Sequence, residues 1–172
     1  MNNMTKTRRL TRLALLITVA LMLSYIETLI PAISIPGAKL GLANVVTLIA
    51  LLSMTFWDAL TIMVLRVLIS TLLFSQLSAL MYAIPAGVVS LLVMYYLLKI
   101  IKKGDPTITV SLVSAVAHNM TQLLVAVFAL ETIRLSYLAP WLIILAIPTG
   151  IFVGISAKYL NKYIGKRLKM IR

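Results

Sequence analysis

Six apolar runs make up most of this chain and leave it few ways to fold: Leu13–Ile33, Leu40–Met54, Ala59–Phe74, Leu77–Leu98, Ile108–Leu130 and Leu138–Ala157. A helix needs about 20 residues to cross the roughly 30 Å of hydrocarbon in a bilayer. Runs one, four, five and six meet that length. Runs two and three are short, which predicts that they are fully buried, do not cross squarely, or draw on neighbouring residues. Phe56 and Trp57 suit an interface and would lengthen run three, with Asp58 capping its helix at the N-terminus. The pattern predicts an all-α, polytopic membrane protein of six transmembrane helices, with residues 1–172 as a single integral membrane domain.

Composition closes other routes. The chain is 62% hydrophobic and 12% charged, against roughly 45–50% and 25% in soluble domains. It has no cysteine, so no disulfide framework, thiol nucleophile or thiolate metal site is available. The net charge of +12 invites a nucleic-acid reading, but the placement of the charges argues against it. All the basic residues except Lys39, Arg66 and Arg134 fall in three clusters: residues 1–12, the connection carrying Lys99, Lys102 and Lys103, and the tail 158–172. Six crossings put all three clusters on one side, which the positive-inside rule makes cytoplasmic. The expected location is the cell membrane, with both termini in the cytoplasm. Run one carries Glu27 and lacks a small-x-small cleavage site, so it reads as a span and not as a signal peptide. The mixed basic and apolar tail reads as a helix stub on an anionic membrane surface, with a docking element as the alternative.

Ionisable groups within spans are costly and are functional candidates by default. Here they are Glu27, Arg66 and His118, accompanied by the amides Asn44, Asn119 and Gln122. Run five reads SAVAHNMTQLL. Its His118 and Gln122 stand four apart and share a helix face, with Ser111 and Ser114 near that face. Such a face should meet another helix or a cavity and not lipid. Interhelical hydrogen bonding and ligand contact are both open for it. Arg66 is open to two roles, an ion pair with Glu27 or reception of an anionic group. Pro85 and Gly87, and Pro148 and Gly150, are expected to interrupt spans four and six. Gly150 and Gly154 form a small-xxx-small pair suited to close helix contact. One histidine and few carboxylates offer no metal site.

Lys39 stands apart from the basic clusters, between Gly37 and Gly41 at the start of span two. Unpaired amides and the helix dipole at that point would make an anion site with Lys39 and nearby Asn44. A lysine reaching for the headgroups is the alternative.

The stretches PGAKLGLANVVTLIALL, RVLISTLL, IPAGVVSLLVM and AVAHNMTQLLVA resemble the Gx transporter family, whose members are often labelled heptaprenyl diphosphate synthase component I-like. The six-span layout is more distantly similar to the substrate-binding S components of energy-coupling-factor transporters. That resemblance implies an S-component-like bundle that captures a small solute from outside, with an anionic solute among the choices left open. Such a protein works with a transmembrane coupling subunit and ATPases, often through an Ala-x-x-x-Ala surface on span one. Ala14/Thr18 and Ala20/Ser24 are the nearest matches here. The chain has no Walker loop, so ATP-driven work would fall to partners. The synthase label implies the alternative, a membrane subunit assisting prenyl diphosphate or quinone synthesis, or a membrane redox assembly. Asp58 and Asp105 are too isolated for an aspartate-rich magnesium–diphosphate motif, and no acid is at hand to complete a nucleophile set with His118. Neither catalytic residues nor a cofactor is expected. The expected solute site is Lys39, Asn44, Arg66, His118, Asn119 and Gln122.

Overall fold

In the computed structural model, residues 6–29, 41–102 and 104–170 are described, with side chains as far as 163. Six α-helices account for most of them: α1 (Lys6–Leu29), α2 (Asn44–Ser53), α3 (Phe56–Phe74), α4 (Ala79–Ile100), α5 (Thr107–Ala129) and α6 (Ala139–Met170), with a 3₁₀ turn at Ile133–Leu138 before α6. Among the described residues there is no strand. The five longer helices are long and apolar enough to cross a membrane. Their outward faces carry side chains such as Leu72, Phe128, Trp141 and Phe152, as lipid contact demands.

The short second run takes a specific form. α2 has 10 residues, about 15 Å of helix, or roughly half the hydrocarbon thickness. Every residue from Asn44 to Ala50 is buried. A helix that ends at membrane depth leaves polar backbone there, which is tolerated only inside protein. The third run does extend through Phe56 and Trp57, but the cap differs from expectation. Thr55 is the N-cap and Asp58 occupies the third helical position, each side chain bonding the other's backbone N–H. A threonine with an acid three residues on forms this reciprocal box, and it leaves the second Asp58 oxygen for Arg9.

That ion pair marks one end of the bundle. Arg9 Nη2 lies 2.6 Å from Asp58 Oδ1, fastening the start of α1 to the start of α3. Lys158 Nζ lies 3.1 Å from Asp105 Oδ2, fastening α6 to the α4–α5 turn. Helices α3 and α4 are joined by a short turn and pack together, so both ion pairs fall at the same end, which also carries Lys99 and Lys102.

Asp105 accepts from the Thr107 hydroxyl at 2.5 Å and from the Thr107 amide at 3.1 Å. These bonds, with Lys158 nearby, hold its carboxyl below the ordinary value of 3.8. A depressed carboxylate stabilises the fold above its unfolded pKa, and that contribution is lost as pH falls through the folded one. Asp105→Asn should therefore melt below wild type at neutral pH. The gap should close in acid, below the ordinary carboxylate range, when melting curves are compared across pH. A gap that stays constant with pH would dismiss the linkage.

Proline does not interrupt the fourth and sixth helices as expected. α4 continues through Pro85 and α6 through Pro148. The tail is no separate surface stub either, because α6 runs unbroken from Ala139 to Met170. Gly150 and Gly154 face α5 closely: a Cβ at either would lie 2.8 Å from Leu112 Cα or 2.7 Å from Ile108 Cα. Gly87 approaches Met63 in the same way, at 2.6 Å from its sulfur.

α1 lies on the outside of the bundle. Ala20, Ser24 and Glu27 are its buried residues. Leu13, Leu16, Ile17 and Leu23 pack against the core cluster built on Val46, Ile62, Met63 and Leu91. Ala20 and Ser24 thus point inward and are not available as a docking pair, whereas Ala14 and Thr18 are exposed.

Candidate functional site

The polar side chains expected within spans converge inside the bundle. Spacing of three and four residues puts Ser111, Ser114, His118 and Gln122 along one stripe of α5, and all four are buried. The same spacing puts Ala20, Ser24 and Glu27 on one stripe of α1, and Arg66 and Ser70 on one of α3. Where these stripes meet the first turn of α2, they enclose two small cavities.

The first cavity is framed by Ser24 and Glu27 of α1, Asn44 of α2, Arg66 and Thr71 of α3, and His118 and Gln122 of α5, with Gly41 at its edge. It leaves about 20 Å³ for the centre of a water-sized sphere, room for one or two waters. The second lies between α5 and α6, lined by Ser111, Ser114, His118, Asn119 and Thr149, and it shares Gly41, Asn44 and His118 with the first. The structure thus brings Asn44, Arg66, His118, Asn119 and Gln122 around adjoining spaces. Lys39 lies outside the described residues. Ser24, Ser70 and Thr71 are lining residues that the sequence reading missed. The signal for the first two was helical spacing, three residues before Glu27 and four after Arg66.

Charge in the first cavity is arranged around Arg66, which is 7% exposed. Its Nη2 donates to Asn44 Oδ1 over a long 3.4 Å. Among the described residues, its Nε and the Thr71 hydroxyl have no hydrogen-bond partner. Glu27 lines the same cavity, but the expected ion pair is not a direct contact: the salt bridges among the described residues are Arg9–Asp58 and Lys158–Asp105. Glu27 Oε1 also accepts the Leu42 amide at 2.6 Å. At the start of span two, where an anion site with Lys39 and Asn44 was expected, the described part already uses its amides, while Lys39 lies outside the described residues. The amides of Asn44, Val45 and Val46 turn back onto the carbonyls of Gly41, Leu42 and Ala43, and the carboxylate at this helix start is the protein's own. Gly41 makes the turn possible, with φ of +76°, a left-handed conformation that side chains resist.

Asn119 has a bond of a different kind. Its Nδ2 donates to Leu142 O at 3.1 Å, tying α5 to α6 beside the second cavity. Among the described residues, no group of three or more His, Cys, Asp or Glu side chains is placed to hold a metal ion.

No curated protein and no solved structure matches the chain. A family model described as heptaprenyl diphosphate synthase component I matches residues 16–160, a stretch that takes in both cavities and all six helices at least in part. With most of its length matched, this multi-pass helical membrane protein belongs to the heptaprenyl diphosphate synthase component I family.

Proposed function

We propose that this chain is the membrane-embedded binding component of an uptake system and captures a small polar solute from the side opposite its basic end. The observation that carries the proposal is the first cavity. A guanidinium with an unpartnered Nε, a carboxylate, two carboxamides and an imidazole are gathered at membrane depth, where each is costly unless used. In this reading the chain crosses six times, with α2 as part of the second crossing. Its basic end faces the cytoplasm by the positive-inside rule. Arg66 receives an anionic group of the solute, with its fork matched to a carboxylate or phosphate. Asn44, His118 and Gln122 bond the remainder, and Lys39, shortly before α2 in the sequence, adds a second cation for the anionic group. In this form the cavity is water-sized, so loading requires α1 or the start of α2 to move outward. The energy for release would come from a transmembrane coupling subunit with ATPases, as in energy-coupling-factor transporters.

The second reading follows from the family's description: a membrane subunit that assists prenyl diphosphate synthesis, with Arg66 meeting a diphosphate. Mass spectrometry of small molecules that co-purify with the detergent-solubilised protein separates the two. The binding-component reading expects a stoichiometric polar metabolite in wild type, lost from His118→Ala and from Lys39→Ala while both variants still fold. A prenyl diphosphate or quinone retained by all three proteins would favour the second reading.

A further inference from the structure

Aromatic rings gather at one corner of the basic end, where α3 starts and α4 nears its finish. Trp57 meets Phe56 at 5.7 Å between ring centroids, Phe56 meets Tyr95 at 4.8 Å, and Tyr95 meets Tyr96 at 5.7 Å. The two outer members of this run, Trp57 and Tyr96, stay 68% and 58% exposed. Amphipathic rings left outside a bundle settle where hydrocarbon gives way to headgroups. Further from the basic end the outward side chains of the same helices are aliphatic, as at Leu65 and Leu92.

Positive charge lies just beyond the rings. Lys99 Nζ sits 4.3 Å from the centroid of the Tyr95 ring, about one turn closer to the end of α4. A cation on a ring face is steadied there and keeps its charge. Arg9 reaches Asp58 from α1, and its side chain is still half exposed. Arg12 follows one turn along the same side of α1. Of the four acids in the chain, Asp58 and Asp105 lie at this end, and each already answers a cation, Arg9 and Lys158. Among the described residues, Lys99 and Arg12 therefore have no acid to answer them.

Depth and charge together select the occupant. A soluble anion would meet the cations and make no use of the rings. A phospholipid meets both, with its phosphate at the cations and its ester groups at the rings. A zwitterionic headgroup would bring a cation of its own into a corner that is already positive, and an anionic one would not.

We propose that the corner of α1, α3 and α4 at the basic end binds the headgroup of one anionic phospholipid, with Lys99 and Arg12 on its phosphate and Trp57 and Tyr96 beside its ester groups. The site does not depend on whether a solute binds at Arg66.

The test uses the full chain in a neutral detergent, with phosphatidylglycerol or phosphatidylcholine of identical acyl chains. About 0.15 M salt screens long-range attraction. Native mass spectrometry counts bound lipid, and melting curves across a lipid titration give the affinity. One phosphatidylglycerol should be retained in preference to phosphatidylcholine. At a few times its dissociation constant it should raise the midpoint by about 3 °C. Lys99→Gln should weaken this binding about fivefold, the effect of one charge beside an anionic surface. Lys99→Gln/Arg12→Gln should abolish the preference, and Lys99→Arg should keep it. Lys162→Gln removes an exposed cation from α6 and should leave it unchanged. The midpoint of each variant without lipid shows that it folds. Equal binding of both lipids by wild type would overturn the site and leave the corner to an acidic protein partner. A preference that survives in the double variant would overturn it too. So would a loss as large in Lys162→Gln as in Lys99→Gln, because the attraction would then belong to the whole basic end.

Discussion

Arg66→Met should lower the melting temperature by about 10 °C, the largest effect of any single substitution in the first cavity. Glu27 and Arg66 are opposite charges buried around one cavity without a direct salt bridge, and removing one of two such charges strands the other, at a cost of up to about 3–5 kcal/mol. In a chain of this length each kcal/mol corresponds to roughly 2–4 °C. Glu27 would keep its bond from the Leu42 amide, which places the expectation at the low end of that range. Glu27→Gln/Arg66→Met should recover most of the loss, because the neutral amide still accepts from Leu42 and no charge is left behind. A cycle of melting curves over the two single variants and the double one measures the coupling. If the two losses simply add, Glu27 and Arg66 do not act as a pair, and the guanidinium is held by Asn44 alone.

Gly154→Ala and Gly150→Ala should each destabilise by about 1–3 kcal/mol, the range for overpacking a tight interior. The added methyl would meet backbone: Ile108 Cα at 2.7 Å for Gly154 and Leu112 Cα at 2.8 Å for Gly150. Backbone atoms cannot rotate aside, so α6 must shift away from α5. Gly87→Ala is the internal comparison. Its nearest atom is the Met63 sulfur at 2.6 Å, and a methionine side chain can swing clear. The expected order of melting temperatures is therefore wild type, then Gly87→Ala, then the two α6 variants. An α6 variant that melts with wild type would falsify the close α5–α6 contact.

Much of the bundle was legible in the sequence because lipid imposes a blunt rule. A helix in hydrocarbon must be apolar outside, so its charged and amide side chains in mid-span point to the interior, while a hydroxyl left outside, as at Thr61, bonds its own helix. That rule placed Ser111, Ser114, His118 and Gln122 on one buried face, and it put Glu27 and Arg66 around a common space. It did not reach features set by contacts between distant elements. The Thr55–Asp58 box was mistaken for an Asp58 cap, because the sequence does not say which of two good capping residues leads. At the start of span two, the Glu27 carboxylate that accepts the Leu42 amide could not be foreseen, because it comes from α1. Ala20 and Ser24 looked like a surface pair, although a stripe of small residues packs equally well inward. The second cavity needed α6, since Thr149 joins the α5 hydroxyls only through the closeness of Gly150 and Gly154. The continuity of α4 and α6 through proline was missed for a simpler reason: one lost backbone bond does not end a helix held by its neighbours.

The way α1 is attached makes it a cantilever. Near the basic end it is clamped by Arg9 on Asp58 and by Leu13, Leu16 and Ile17 against apolar neighbours. Toward the other end its buried contacts turn polar, with Ser24 and Glu27 on the first cavity, while the exposed Tyr25 ring tilts against Phe74 at 5.2 Å between ring centroids. Swinging the clamped half outward would expose grease to water or pull it through lipid. Swinging the other half would give up the Glu27–Leu42 bond but mainly wet groups that hydrate well, the Glu27 carboxylate and the Arg66 guanidinium among them. The cheapest distortion of this bundle is thus a sideways tilt of one helix tip, which admits water to the buried charges and leaves the core around Ile62 and Leu91 dry.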